Sequence, residues 1–334
     1  MESFVPALAA PSRSDALKLS HGRRYRTGAH RRWRRRGRRA QVAPVATILG
    51  LLLVVTYIAT FLSTTLPEEM SVNDLNHDLL VENQVGQMSV VTTQMILTDS
   101  LYGQESFPIS LGSAGAPPFA GPDAAAVVPL NNYTGGTYGV YVNYSITSAH
   151  GTVPVSAVSV PGAGFVVGLR NTYASASEVA FDDGAVIFAQ PAGVPTIADP
   201  PPITLTSTGA LSIVLPTFVN RIGTESGTST ALFTERLQNV QSVALPTAGY
   251  SITSGSSVLI TIFSPYAAAW LNYYTGQPTF SGATIACTPA PTGPHSACSP
   301  SYLYVPGGEI GKVTISVPVT SLTLTQGFFG ITLG

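Results

Sequence analysis

The feature that most constrains this chain is a run of 28 residues, 40–67, without a single charged side chain. Arg39 precedes the run and Glu68 follows it. Its central part, residues 42–63, is almost entirely apolar, and a helix of that length spans roughly 33 Å, enough to cross the hydrocarbon core of a bilayer. The alternative is the buried helix of a soluble protein, but such a helix rarely lacks charge for so long. We therefore expect a transmembrane helix at 41–64.

Charge differs in sign on the two sides of this run. Residues 1–40 hold twelve of the 16 Lys and Arg and two of the 17 acids, a net charge of +10. Residues 41–334 hold the other four basic and fifteen acidic residues, a net charge of −11. By the positive-inside rule, the basic leader stays in the cytoplasm and everything beyond the helix lies outside the cell. No nucleic-acid partner is expected for the leader, because no base-reading module accompanies it.

A second helix is expected directly after the membrane segment, at 65–98. Pro67 suits the first turn of a helix, and the acids Glu68 and Glu69 would interact favourably with the positive end of its dipole. Apolar residues follow at a spacing that roughly fits one helical face: Met70, Leu75, Leu79, Leu80, Val85, Met88, Val91, Met95 and Ile96. The pattern predicts an amphipathic stalk helix that docks on the rest of the chain or on a neighbour.

The remainder, 99–334, has the pattern of short β-strands separated by Gly- and Pro-rich turns. Over residues 140–146, apolar and polar side chains alternate with a period of two. Two apolar runs flank Asp182-Asp183-Gly184, the clearest hairpin signal in the chain, and we expect the tip of this hairpin to be solvated. The predicted fold class is therefore mainly β, with one or two extracytoplasmic β-sandwiches and a possible division near 197–202.

One short helix, at 265–274, is expected to interrupt the strands. Ser264 can cap its N-terminus. Tyr266, Trp270 and Tyr273 would then lie on one face of the helix. Such an aromatic stripe could stack on a sugar, but core packing at the open end of a sandwich is its more common use.

The sequence contains two cysteines, Cys287 and Cys298, and both lie in the part expected outside the cell. An isolated pair so close in sequence favours one disulfide in an oxidising compartment. A zinc site that includes His295 is the alternative, but it lacks a fourth ligand. Two sequons, at Asn132 and Asn143, lie in the same part of the chain and permit its glycosylation outside the cell.

The sequence shows no motif for catalysis or for a cofactor. It lacks the zinc-protease motif His-Glu-x-x-His, a phosphate-binding Walker loop and the Gly-x-Ser-x-Gly nucleophile elbow. Asp182 and Asp183 could together attract calcium, but a plain turn is the more common use of such a pair. We expect no enzymatic activity, no cofactor and no metal site.

The junction between the leader and the apolar run carries a family resemblance. Residues 38–50 are Arg-Arg-Ala-Gln-Val-Ala-Pro-Val-Ala-Thr-Ile-Leu-Gly. This segment resembles the class III leader of archaeal type IV pilins and pilin-like surface proteins, in which a peptidase cuts before the apolar helix. The resemblance implies cleavage of the bond between Ala40 and Gln41, with Arg39 and Ala40 on the leader side of the cut. The helix that remains would pack in a filament or serve as an anchor. An uncut signal anchor is the alternative.

Together with this resemblance, the pattern predicts a non-enzymatic archaeal cell-surface structural protein, a pilin-like subunit or adhesin. Its four regions would be a basic cytoplasmic leader, a transmembrane helix, a stalk helix and an extracellular β-rich domain, at 1–40, 41–64, 65–98 and 99–334. Its partners would be the membrane, a processing peptidase and copies of itself through the 42–63 helix. The alternatives are a membrane-anchored ectodomain that binds a solute or a glycan, and an exported hydrolase.

Overall fold

A computed structural model of the chain shows an apolar N-terminal helix followed by a β-rich part with three sheets, which confirms the predicted fold class. The structure describes residues 33–117, 119–130, 138–148, 151–191, 193–220, 222–246, 250–252, 257–288, 298 and 310–334. The chain divides into two compact units, Met1–Ala59 and Thr60–Gly334. All the described strands lie in the second unit, which is called the β-rich unit below.

Helix α1 spans Trp33–Thr60, a π-helical turn follows at Phe61–Thr65, and helix α2 spans Leu66–Leu97. The helical stretch that begins at Pro44 is long and apolar enough to cross a membrane, and its most apolar part is wholly exposed. Pro67 lies in the first turn of α2, as predicted, because the missing N–H of proline costs nothing there.

The described part of the second unit also contains a short helix, α3 (Ala267–Gly276), and seventeen strands. The strands are β1 (Gln104–Ser110), β2 (Ala125–Pro129), β3 (Gly139–Ser148), β4 (Gly151–Pro161), β5 (Gly164–Leu169), β6 (Ser177–Asp182), β7 (Ala185–Ala189), β8 (Thr196–Asp199), β9 (Ile203–Leu205), β10 (Ala210–Phe218), β11 (Glu225–Gly227), β12 (Thr230–Leu245), β13 (Tyr250–Ile252), β14 (Ser257–Ser264), β15 (Thr284–Thr288), β16 (Gly311–Pro318) and β17 (Ser321–Leu333).

The strands form three sheets. Sheet I has the order β1-β12-β17-β10-β9, and sheet II has the order β11-β2-β5-β6-β7-β8. Sheet III has the order β13-β3-β14-β16-β15, and β4 pairs with β3 beside it. The β10–β17 pair is parallel, and the other strand pairs of the described residues are antiparallel. The 196–199 segment, near the expected division of the β-rich part, is β8 of sheet II.

The central strands of sheet II, β5, β6 and β7, are buried on both faces. Neighbouring residues of β5 and β6 point to opposite sides, so that Val166 and Ala180 enter one hydrophobic core while Phe165 and Phe181 enter another. The first core also receives sheets I and III and α3, and the second is closed by α2 and sheet I. Burial on both faces explains why these central strands are nearly continuous apolar runs rather than alternating ones.

The buried face of α2 differs from the predicted face in the first half of the helix. Three leucines expected on the packed face are 46–56% exposed: Leu75, Leu79 and Leu80. Asp74 and Asp78 are buried in their place. Burial here follows geometry rather than polarity, because the β-rich unit supplies hydrogen-bond donors to both carboxylates and so offsets the cost of removing them from water.

Three local predictions can be compared directly with the structure. The hairpin at 182–184 is confirmed, with β6 and β7 joined by a two-residue turn. The short helix is confirmed as α3, but it begins two residues later than predicted and its N-cap residue is Tyr266, not Ser264. Core packing is confirmed for Tyr266 and Trp270. Cys287 of β15 forms the predicted disulfide with Cys298.

Candidate functional site

The most elaborate cluster of polar side chains in the described part of the chain surrounds Asp182, the last residue of β6. Tyr138 donates a hydrogen bond of 2.8 Å from its hydroxyl to Oδ1 of Asp182. The indole Nε1 of Trp270 donates to Oδ2 at 2.8 Å, and the hydroxyl of Ser264 also donates to Oδ2. Asp182 is fully buried. Three donors from two distant parts of the sequence therefore replace the water that this carboxylate loses on folding.

Local backbone geometry places the next carboxylate, Asp183, in the same interior. Asp183 and Gly184 have φ of 51° and 89°, the left-handed values that a type I′ turn requires at both central positions. The backbone N–H of Ala163 donates to Oδ1 of Asp183 at 3.0 Å. Oδ2 of Asp183 is buried and has no hydrogen-bond partner in the described part of the chain. The sequence prediction of a solvated tip was wrong, because other segments of the unit cover this turn.

Burial raises the pKa of the Asp182 carboxyl, and its three hydrogen bonds act in the opposite direction. The pKa of Asp183 is raised well above its ordinary value, first by burial and then by the charge of Asp182. One carboxyl with three donors beside another with a single donor is an arrangement that favours ionisation of the first over the second. The two carboxyls form the centre of a buried hydrogen-bonded cluster.

Helix α3 supplies the aromatic wall of this centre. Tyr266, Trp270 and Tyr274 are each at most 1% exposed, and the rings of Trp270 and Tyr274 stack at a centroid distance of 6.1 Å. Tyr273, which the sequence pattern placed on the packed face, is only half-buried. Ser264 accepts a hydrogen bond from the N–H of Tyr266 at 2.9 Å, and Tyr266 is the residue that precedes the helix. Ser264 thus orders the entry to the helix while it also holds Asp182.

A second buried carboxylate, Glu235, lies where α2 packs on sheet I. The hydroxyl of Thr92 on α2 lies 3.0 and 2.9 Å from the two oxygens of Glu235. Burial raises the pKa of Glu235 to about 8, and the hydrogen bond to Thr92 only partly opposes this. The sequence did contain a signal for it, because Glu235 shares its strand face with the buried Ala231, Phe233 and Leu237.

The first half of α2 carries further buried polar groups. The backbone N–H groups of Tyr173 and Ala174 each donate to Asp74 at 3.1 Å. Asp78 accepts from Ser177 at 2.7 Å and from the side chain of Asn171. Burial is the main reason why the pKa of Asp78 is raised. These contacts fix the helix to the loop between β5 and β6.

His77 lies one turn after Asp74 on the same helix. Its Nε2 is 3.0 Å from the carbonyl oxygen of Ser110. This histidine is thus engaged with the backbone of β1. His150 and His295 lie outside the described residues.

The residues of the expected leader cleavage lie inside α1. Arg39, Ala40 and Gln41 are helical, and the helix begins at Trp33, ahead of them. Pro44 also lies in this helix. A proline has no N–H, so the carbonyl of Ala40, four residues earlier, lacks its usual helical hydrogen bond.

The two glycosylation sequons have different settings. Asn143 is half-buried in the middle of β3, which pairs with both β4 and β14. Asn132 lies outside the described residues. Glycosylation at either position stays a prediction.

No group of three or more His, Cys, Asp and Glu side chains that could hold a metal ion is found among the residues that the structure describes. Comparison with protein-family models, with curated proteins and with solved structures gives no match for this chain.

Proposed function

We propose that this chain is a non-enzymatic cell-surface structural protein, a pilin-like subunit or adhesin anchored by its N-terminal helix. The observation that carries the proposal is the contrast between α1 and α2. The described side chains of α1, from Pro44 to Thr60, are all exposed, whereas one face of α2 closes a hydrophobic core of the β-rich unit. An apolar helix without any packing of its own needs a bilayer or copies of itself around it.

The charge pattern supports an orientation with the N-terminus in the cytoplasm. The leader carries +10, and its eleven arginines cannot cheaply enter hydrocarbon. The disulfide between Cys287 and Cys298 is compatible with export of the β-rich unit to an oxidising compartment. Removal of the leader would leave a nearly neutral cytoplasmic end, so that the helix could leave the bilayer and pack against its copies.

Two small residues on α1 support lateral packing of the helix. Ala46 and Gly50 are four residues apart and therefore lie on the same face. A methyl group added at Gly50 would meet no atom within 4 Å, so this face is open in the single chain. Small residues at this spacing let two membrane helices approach closely.

Pro44 supports cleavage at the Ala40–Gln41 bond. A peptidase acts on backbone that is locally open, and a helical hydrogen bond at the bond to be cut opposes opening. The carbonyl of the bond to be cut is that of Ala40, whose helical partner would be the N–H that Pro44 lacks. The helix thus lacks one hydrogen bond at the bond where the leader would be removed.

The mature N-terminus of protein recovered from its own cells tests the proposal. We expect mass spectrometry to find Gln41 as the first residue. Protein that still carries residues 1–40 in full would overturn the pilin-like proposal and leave an uncut membrane-anchored ectodomain.

Pro44→Ala provides a sharper test of the cleavage step. The substitution restores the hydrogen bond to the Ala40 carbonyl, so uncut precursor should increase about fivefold or more relative to mature protein. Val45→Ala, which leaves the hydrogen bonding unchanged, is the matched control. Immunoblotting of membranes after a pulse of synthesis measures the ratio, and equal precursor fractions in the two variants would exclude this role of Pro44.

A further inference from the structure

A depression of about 320 Å³ lies on the outer face of sheet I. Its lining consists of Gln104, Asn220, Thr234, Arg236, Gln238, Gly330, Ile331 and Thr332. The β12–β17 register shifts between Leu237 and Asn239, which leaves Gln238 as an extra residue in the strand. A bulge of this kind bends its strand and redirects a side chain, and such bulges are frequent at binding sites.

Gly330 shapes the floor of this depression. A methyl group built on Gly330 would lie 2.3 Å from Nε2 of Gln238. The absence of a side chain therefore lets the Gln238 amide lie across the floor. At one rim, the side-chain amide of Asn220 exchanges hydrogen bonds with the backbone of Ile331 in both directions, which fixes its position.

Arg236 is the charged residue of the lining. Its guanidinium lies over the ring of Tyr102, 5.4 Å from the ring centre. Tyr102 is 67% exposed, and its backbone N–H donates to the carbonyl of Leu237 at 2.9 Å, which anchors the ring beside β12. In the part of the chain that the structure describes, no carboxylate forms an ion pair with Arg236 and no acceptor takes its N–H groups. Its donors are thus oriented by a ring and remain available.

The other groups of the lining are amides, hydroxyls and backbone, without a carboxylate. This is unusual for a sequence in which residues 41–334 carry −11. A guanidinium binds a planar carboxylate with two parallel hydrogen bonds, and side-chain amides both donate to and accept from sugar hydroxyls. The volume lies at the low end of the range for small-molecule pockets.

We propose that this depression binds an acidic saccharide, a sugar that carries a carboxylate, as in a hexuronic acid. Arg236 binds the carboxylate, the amides of Gln104 and Gln238 bind ring hydroxyls, and Tyr102 offers a face for the sugar ring. The site lies entirely within the β-rich unit. The inference goes beyond the proposed function and does not depend on cleavage or assembly.

Calorimetric titration of the full chain tests this inference, in a polyoxyethylene detergent whose headgroup contains no sugar. The ligands are a galacturonate trisaccharide and the neutral galactose trisaccharide of the same linkage. We expect the acidic ligand to bind about tenfold tighter than the neutral one at low salt, because two charge-assisted hydrogen bonds distinguish them.

Arg236→Gln should remove this preference and raise the dissociation constant of the acidic ligand about tenfold. Arg170→Gln, at an exposed arginine outside the lining, should leave both the preference and the dissociation constant unchanged. Gly330→Ala displaces the flexible Gln238 amide and should weaken both ligands several-fold without unfolding the sheet. Equal affinity for the two ligands, equal effects of the two arginine variants, or acetate competing as strongly as the saccharide would each overturn the proposal.

Discussion

Glu235→Gln is expected to remove on the order of 5 kcal/mol of pH dependence from the stability of the folded chain. Below about pH 4.5, the ordinary pKa of this carboxyl, Glu235 is protonated in both the folded and the unfolded chain, so its ionisation does not lower the free energy of unfolding. Between there and its folded pKa of about 8, the folded chain binds more protons, so the free energy of unfolding falls as the pH rises. Above that pKa the loss is complete. The glutamine variant lacks this titration.

The measurement is the thermal midpoint of the full chain in non-ionic detergent, from pH 4 to pH 9. Above about pH 5, the thermal midpoint of the glutamine variant should exceed that of the natural protein by an amount that grows steadily with pH. Glu69→Gln, at an exposed glutamate of α2, is the matched control and should run parallel to the natural protein. A constant gap across the pH range would show that Glu235 does not titrate as described.

Other buried carboxyls shift in the same direction. Burial raises the pKa of Asp78, Asp182 and Asp183, and also that of the partly buried Glu82. Each of them adds stability that is present in acid and is lost as the pH rises through its folded pKa. The free energy of unfolding of the β-rich unit should therefore be higher in acid than in alkali, in the natural protein and in both glutamine variants.

Trp270→Ala should destabilise the β-rich unit by about 4 kcal/mol and lower its thermal midpoint by about 10 °C. The substitution leaves a large cavity in the core around α3, and it removes one of the donors to the buried Asp182. Trp270→Phe keeps most of the ring volume but loses the indole N–H, so it should cost only about 1–3 kcal/mol. The difference between the two variants separates packing from hydrogen bonding.

Tyr273→Ala, on the half-buried side of the same helix, serves as the control and should cost about 1 kcal/mol. Chemical denaturation followed by circular dichroism measures all three variants. If Trp270→Ala were no worse than Tyr273→Ala, Asp182 and α3 would not form the centre described above.

Much of the strand content could be predicted from the sequence, because alternation and turn residues are local signals. The Asp183-Gly184 turn is the best example: only a few residue types adopt two successive left-handed conformations, so the pattern specifies the hairpin without any tertiary information. The pairing of strands could not be predicted in this way. The parallel contact of β10 with β17 joins segments more than one hundred residues apart, and neither strand contains a mark of its partner.

The polar interior could not be predicted for a related reason. A charged residue is expected at the surface unless something compensates its burial, and the compensation for Asp182 comes from Tyr138 and Trp270, 44 and 88 residues away. The same holds for the buried face of α2, where Asp74 replaces a leucine of the predicted stripe. Glu235 is the exception, because the alternation of its own strand already placed it inside.

The lateral attachment of α2 determines how the β-rich unit would respond to a pulling force on this helix. The helix is tied to the rest of the β-rich unit at points along its length by side-chain hydrogen bonds, from Asn73 to the carbonyl of Ala114, from Ser89 to that of Gly184, and between Thr92 and Glu235. A force along the helix axis would load these ties together in shear, not peel them apart one at a time. Rupture would then require them to fail together.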